Sequence, residues 1–473
     1  MEVLSRYLRV ICTQPQVSMH PKCAGIKLTH LIFADDLMIF TRGDLPSVSA
    51  VVHTLDKFGR VSGLKANIDK TSIFFGGVQP NVKRAILEHT GFQQENFPFR
   101  YLGVPLNASR LSFDNFGMLI GKIQGAIHHW STKFLSYAGK LQLLQSVIFG
   151  IHNYWCASIL LPRGVVKLIN KLCKDFFWQI PAGHRRMTFK SWKEICSPWP
   201  EGGFGIKELL AWNKAVLLQW VWKFDVSVDS LWIAWNKHYT FKEKNIWTLP
   251  LSERLPASLK GILQARDSCL QIAGSIQQAK ILIQSCVRSG IFCISKAYDI
   301  LRIKRPKVSW AKLLSRPVII PSHRLTLSLA IENKLPTVDN MVKKGMALPN
   351  RCCFCKKAEE NQYHLFFGCD YAKTVWEDLL AWIGIRRAGM SLKREVGWIS
   401  SRKRSKHWSC SWFICTLAVT VHLLWHERNQ RIFEGRERPK LTLIKHIKYL
   451  VGVRLLACSN DQVYNDIVEH LNS

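Results

Sequence analysis

Short apolar runs at Leu28-Thr29-His30-Leu31-Ile32-Phe33 and Leu37-Met38-Ile39-Phe40-Thr41 flank Ala34-Asp35-Asp36. Two β-type runs around so short a polar break predict a hairpin with two carboxylates at its tip. The period then changes. Val51, Leu55 and Phe58 recur at helical spacing, and from about residue 115 to 240 the pattern stays helical. Ile120, Ile123, Ile127 and Trp130 fall on one face, as do Leu141, Leu144, Val147 and Ile148, which is the signature of core-facing stripes. Pro198-Trp199-Pro200-Glu201-Gly202-Gly203 breaks this series before an apolar segment through Trp212, Trp220 and Trp222. From Lys242 to Pro321 the pattern weakens. Arg302, Lys304, Arg305 and Lys307 surround Pro306 in a basic turn, which places an expected domain boundary near 290–310. After Cys369, the residues Trp376, Leu379, Leu380 and Ile383 form another helical stripe. The whole reads as α+β: a hairpin, then a mostly helical chain.

Trp408 to Trp425 is 18 residues long, with His422 its only titratable side chain besides cysteine. The length suits a membrane-spanning helix, but Ser409, Cys410, Ser411, Thr416, Thr420 and His422 lower its hydrophobicity. A buried helix is the favoured expectation.

Composition adds a partner. At 473 residues and 48% apolar content the chain is expected to fold into two or three domains with packed cores. Its 66 Lys+Arg against 33 Asp+Glu give a formal charge of +33. Such an excess calls for a polyanion, first RNA or DNA and second an anionic membrane surface. Lys133, Lys140, Lys167, Lys171, Lys174, Arg185 and Arg186 are candidates to follow a phosphate backbone, a solvated face being the alternative for each. The span from Arg386 to Lys406 adds eight Lys/Arg against Glu395 alone. Fifteen cysteines, an odd number scattered along the chain, and no signal peptide at Met1-Glu2-Val3-Leu4 point to a reducing intracellular compartment.

Four side chains stand out against that background. Cys352 and Cys355 form a C-x2-C pair, and His364 and Cys369 follow closely. A C-x2-C turn can place two thiolates at adjacent corners of a tetrahedron, and the later His and Cys close it around Zn2+. With all four corners filled the site is structural. Ordinary reduced thiols are the alternative, and Cys353 leaves a second register open, in which Cys353 pairs with Cys355. Adjacent acids at Asp35 and Asp36 suit a divalent cation, though a solvated Asp-Asp turn is as common.

The order of these motifs resembles the reverse transcriptase of plant LINE-type non-LTR retrotransposons. The resemblance runs through Phe33-Ala34-Asp35-Asp36, Gly63-Leu64-Lys65-Ala66-Asn67, Lys70-Thr71, Tyr101-Leu102-Gly103, Leu135-Ser136-Tyr137-Ala138-Gly139-Lys140-Leu141, Glu201-Gly202-Gly203-Phe204-Gly205 and Trp425-His426-Glu427-Arg428-Asn429. It implies that 1–110 is the C-terminal part of a polymerase palm and 111–300 a helical thumb-like and connecting region. Residues 301–385 would be the reverse-transcriptase zinc-binding domain, and 386–473 a basic linker and C-terminal helices.

In that family Asp35 would bind metal with Asp36 beside it, and two Mg2+ ions would activate the primer 3′-hydroxyl and stabilise the leaving pyrophosphate. Lys70 would act as a general acid or touch phosphate. A first catalytic Asp is expected on an earlier palm strand, and the one acid before Asp35 is Glu2. Met1–Leu8 resembles the helix just after the family's template-positioning Gly-Asp-Pro motif. The expectation is a truncated RNA-directed DNA polymerase, intracellular and nuclear, that keeps zinc and nucleic-acid binding, needs no small-molecule cofactor, and does not polymerise by itself. Two further readings are a non-enzymatic zinc-dependent nucleic-acid-binding protein and a membrane-anchored basic protein using residues 408–425.

Overall fold

The computed structural model describes residues 1–106, 112–132, 135–178, 188–401 and 407–458. Lys133, Arg185, Arg186 and the basic residues within 402–406 lie outside the described residues. The fold is α+β and mostly helical, with small two-stranded sheets among the helices. The chain divides into two compact units, each assembled from separated segments.

The first unit comprises Met1–Met118, Asn153–Pro162 and Ala211–Leu301. Its start is built on the helix Glu2–Ile11, whose buried Leu4, Leu8 and Ile11 pack with Phe58 of the helix Leu45–Ser62. Asp44 caps that second helix by accepting from Ser47 N, and Gly63 ends it at φ +74. Leu37 and Ile39 of the hairpin lie against the same cluster. The strands His30–Phe33 and Asp36–Ile39 are antiparallel, and Phe33 pairs with Asp36. The turn is therefore Ala34-Asp35 alone, and Asp36 opens the second strand instead of sitting in the loop. Two-residue loops match the twist of paired strands, and here Ala34 takes the left-handed conformation at φ +54. Deeper in this unit the buried Asn213 accepts from Leu161 N and donates to the carbonyls of Cys156 and Ile159, satisfying a helix end that apolar packing would leave bare.

The second unit comprises Leu119–His152, Arg163–Leu210 and Arg302–Ser473. Leu141, Leu144 and Ile148 are buried as the periodicity predicts, but Val147 is exposed. The reason is a π-helical turn over Leu144–Ile148, which inserts an extra residue per turn and rotates Val147 out. Lys140, expected on an outer face, is 2% exposed between the rings of Tyr137 (5.5 Å) and Phe176 (5.9 Å). Burial lowers its pKa to about 8.

The Pro-Trp-Pro-Glu-Gly-Gly break of this unit makes a tight structure. A Cβ on Gly203 would lie 1.8 Å from Ser197 O, so no other residue fits there. Glu201 accepts from Arg302 Nη1 and Nη2 at 2.7 and 2.6 Å and from Arg305 N at 3.0 Å. Those bonds, the Arg302 pair foremost, hold its carboxyl below the ordinary range. The C-terminal part stacks the helices Asp370–Trp382, Leu392–Ser401, His407–Phe433 and Lys440–Leu456. Phe413, Ile414, Leu417, Val421 and Leu424 of the long helix are fully buried. Among the described residues no helix is long and apolar enough to cross a membrane.

Candidate metal centre

Local backbone geometry folds the Cys352–Cys355 segment back on itself. Lys356 N donates to Cys352 O at 2.8 Å with Lys356 in the left-handed region at φ +56, and Cys352 N donates to Ala358 O at 2.8 Å. The second half of the site starts from a side chain: Asn361 Oδ1 accepts from His364 N at 2.9 Å. A π-helical turn over His364–Gly368 follows, and Cys369 N closes it on His364 O at 2.7 Å. Cys369 is then the N-cap of the helix Asp370–Trp382, where the helix dipole favours a thiolate.

These two turns bring Cys352, Cys355, His364 and Cys369 together, with one donor atom from each within 4.8 Å of all the others. Cys352 Sγ and Cys369 Sγ are 3.9 Å apart, and Cys355 Sγ and His364 Nε2 are 3.3 Å apart. Tetrahedral zinc places neighbouring donors about 3.5–3.8 Å apart, given Zn–S near 2.3 Å and Zn–N near 2.0 Å. The donor set and its edges fit Zn2+. Cys352 and Cys369 are fully buried and the other two half-buried, a closed arrangement suited to holding structure. Cys352 Sγ donates to Cys369 Sγ, which holds the Cys369 thiol below its ordinary range. Cys353, the competing residue in the sequence, is not one of the four; its side chain is half-buried, and burial foremost raises its thiol to about 12.

Sequence reasoning missed the supports. Glu360, fully buried inside the loop between Cys355 and His364, accepts from Arg428 Nη2 at 2.7 Å and from Arg428 Nε at 3.2 Å to each oxygen. It also accepts from Val338 N at 2.9 Å. Phe354, next to Cys355, stacks on Tyr371 at 4.8 Å, and Arg431 lies over both rings at 5.1 and 4.7 Å. Arg431 is in turn held by Glu427 at 2.8 Å. The signal for these supports was the Trp425-His426-Glu427-Arg428-Asn429 helix, singled out as a motif without a partner for its arginine.

Asp35, Asp36 and Lys70 belong to the first unit and are all exposed. Among the described residues no ion pair joins Lys70 to either carboxylate, and no third His, Cys, Asp or Glu stands with Asp35 and Asp36 in metal-binding reach.

Residues 292–376 match the family model for zinc-binding in reverse transcriptase. The four ligand candidates all lie within that segment. Over 150 residues the chain is also 27% identical to a putative ribonuclease H protein of Arabidopsis thaliana, across 31% of this chain and 24% of that protein. The chain thus spans about a quarter of the length of the curated relative it matches. Together the two likenesses support a reverse-transcriptase-related protein of retroelement type.

Proposed function

We propose that this polypeptide is the palm-end, thumb-like and zinc-binding part of a non-LTR retrotransposon reverse transcriptase of the plant LINE type, and that it binds RNA or DNA through its basic surface. The carrying observation is the Cys352, Cys355, His364 and Cys369 cluster inside the segment that matches zinc-binding in reverse transcriptase. Zinc here would fix the two turns against the helix Asp370–Trp382 and leave no coordination position for a substrate. The formal charge of +33 supplies the attraction for phosphate.

Polymerisation is a separate matter. On this reading Asp35 and Asp36 would be the palm's metal-binding carboxylates, and within these 473 residues Glu2 is the one acid ahead of them. In-line phosphoryl transfer by two metals needs carboxylates from more than one strand. Alone, the polypeptide binds nucleic acid without extending a primer. Fluorescence anisotropy against RNA and DNA oligonucleotides should show binding that weakens steeply with salt and has little sequence preference; no binding at low salt contradicts the proposal. A primed RNA template with dNTPs and Mg2+ or Mn2+ should show no extension, and extension abolished by Asp35→Asn would overturn that part.

A further inference from the structure

In the second unit, away from the Cys352–Cys369 cluster, two arginines from separate segments, Arg324 and Arg454, converge on the Arg316–Val318 turn without an acid. Arg454, from the helix Lys440–Leu456, donates from Nε to Val318 O at 3.2 Å and from Nη2 to Pro317 O at 2.5 Å. Arg324, in the first turn of the helix Pro321–Ile331, donates from Nη2 to Arg316 O at 3.3 Å. Arg316 reaches Ser411 Oγ from Nη1 at 3.4 Å. The three are half-buried, and among the described residues none forms an ion pair. Arg324 also lies over the ring of Trp199 at 5.9 Å, and Glu201, two residues beyond that ring, and Glu332, at the end of the helix, are held by Arg302 and Lys190.

Cations that share a partly desolvated site repel each other, and burial withholds the water that would screen them. Arg324 shows the effect: burial foremost, then Arg454, lowers its pKa. Its Nε is buried with no hydrogen-bond partner, although a guanidinium has five N–H groups to place. The surroundings add donors. The helix Pro321–Ile331 has no side-chain cap, and its first intrahelical bond is Arg324 N to Ile320 O at 2.9 Å, so the Ser322 and His323 amides precede the ladder. His323 is 6% exposed, its Nδ1 has no partner, and its ring packs on His422 with centroids 4.2 Å apart. Unspent N–H groups, converging positive charge and an open helix start all want one thing, an anion with several acceptor oxygens.

We propose that Arg324 and Arg454, with the start of the helix Pro321–Ile331, form a phosphate site that seats one backbone phosphate of a bound nucleic-acid strand. This rests on the nucleic-acid-binding reading above and gives it an address. Arg324 and Arg454 supply the charge-assisted hydrogen bonds, and the carbonyls of residues 316–318 hold the two guanidinium planes in place for it.

The test uses the full chain, a labelled oligouridylate RNA and inorganic phosphate. Arg324→Gln and Arg454→Gln should each weaken RNA binding about tenfold and reduce the slope of log affinity against log salt by about one. Arg288→Gln, an equal charge change at an exposed position of the first unit, should leave the slope unchanged, and Arg324→Lys should restore most of it. Glutamine variants that melt earlier but bind RNA with the wild-type slope would show that the arginines only brace the loop, which overturns the site. In the second arm, phosphate at matched ionic strength should raise the wild-type melting temperature but not that of Arg324→Gln. If wild type binds no RNA, the functional reading fails with the strand, and the phosphate arm alone decides the site. A phosphate effect lost in Arg324→Gln supports it, and equal behaviour overturns it. A phosphate effect with unchanged RNA slopes assigns the site to free phosphate and overturns the strand.

Discussion

Arg428 and Glu360, 68 positions apart in the chain, form an ion pair that is 2% and 0% exposed. The arginine belongs to the long helix His407–Phe433 and the glutamate to the loop between Cys355 and His364, so the pair ties the metal-binding turns to the C-terminal helices. Removing one partner leaves the other charge buried and unpaired. Arg428→Met or Glu360→Gln should each cost about 3–5 kcal/mol of stability. The double variant should recover a substantial part of that loss, because neither charge is then stranded. Urea denaturation of the four proteins reads this coupling directly; additive losses would show that the two side chains act independently.

Gly203 carries a second expectation. An added methyl group meets the Ser197 carbonyl at 1.8 Å, a backbone atom that cannot swing aside. Gly203→Ala should therefore cost about 3 kcal/mol or more, seen as a lower thermal midpoint. A midpoint equal to wild type would mean that the Pro198–Gly205 segment relaxes freely.

His152 makes the acid response specific. Burial lowers its pKa to about 4, and its Nδ1 has no partner. An unfolded histidine titrates near 6.5, so below that pH the unfolded chain takes up a proton that the folded chain refuses. The contribution of neutral His152 is complete above about pH 6.5 and is lost as pH falls toward 4, at about 1.4 kcal/mol per pH unit. His152→Leu should match or exceed wild-type stability at pH 7 and show a shallower loss between pH 6.5 and 4. Metal release by acid affects both proteins, so the difference isolates the imidazole. Parallel pH profiles would contradict the assignment.

How much of this was legible in the sequence depends on the range of the interaction. Cys352, Cys355, His364 and Cys369 fall within 18 residues, and two local turns bring them together, so spacing sufficed. The hairpin at Asp35 was legible for the same reason, but its register was not, and Asp36 moved from the turn into a strand once the loop closed on two residues. Periodicity placed Leu141, Leu144 and Ile148 inside, yet a 3.6-residue period cannot foresee the π-helical turn that exposes Val147. Lys140 was placed outside because lysines usually are; the aromatic rings of Tyr137 and Phe176 cover it. Glu360 with Arg428, and Arg454 with the carbonyls of Pro317 and Val318, are long-range pairings, which single-chain patterning does not encode. A net charge of +33 says that anions are wanted without saying where.

Metal content tests the central claim most directly. The 473-residue polypeptide purified without chelators should hold about one zinc per chain by elemental analysis; Cys355→Ser and Cys369→Ser should lose it and Cys353→Ser should keep it. Wild-type protein free of zinc, or zinc retained in Cys355→Ser and lost in Cys353→Ser, would contradict the site built here from Cys352, Cys355, His364 and Cys369.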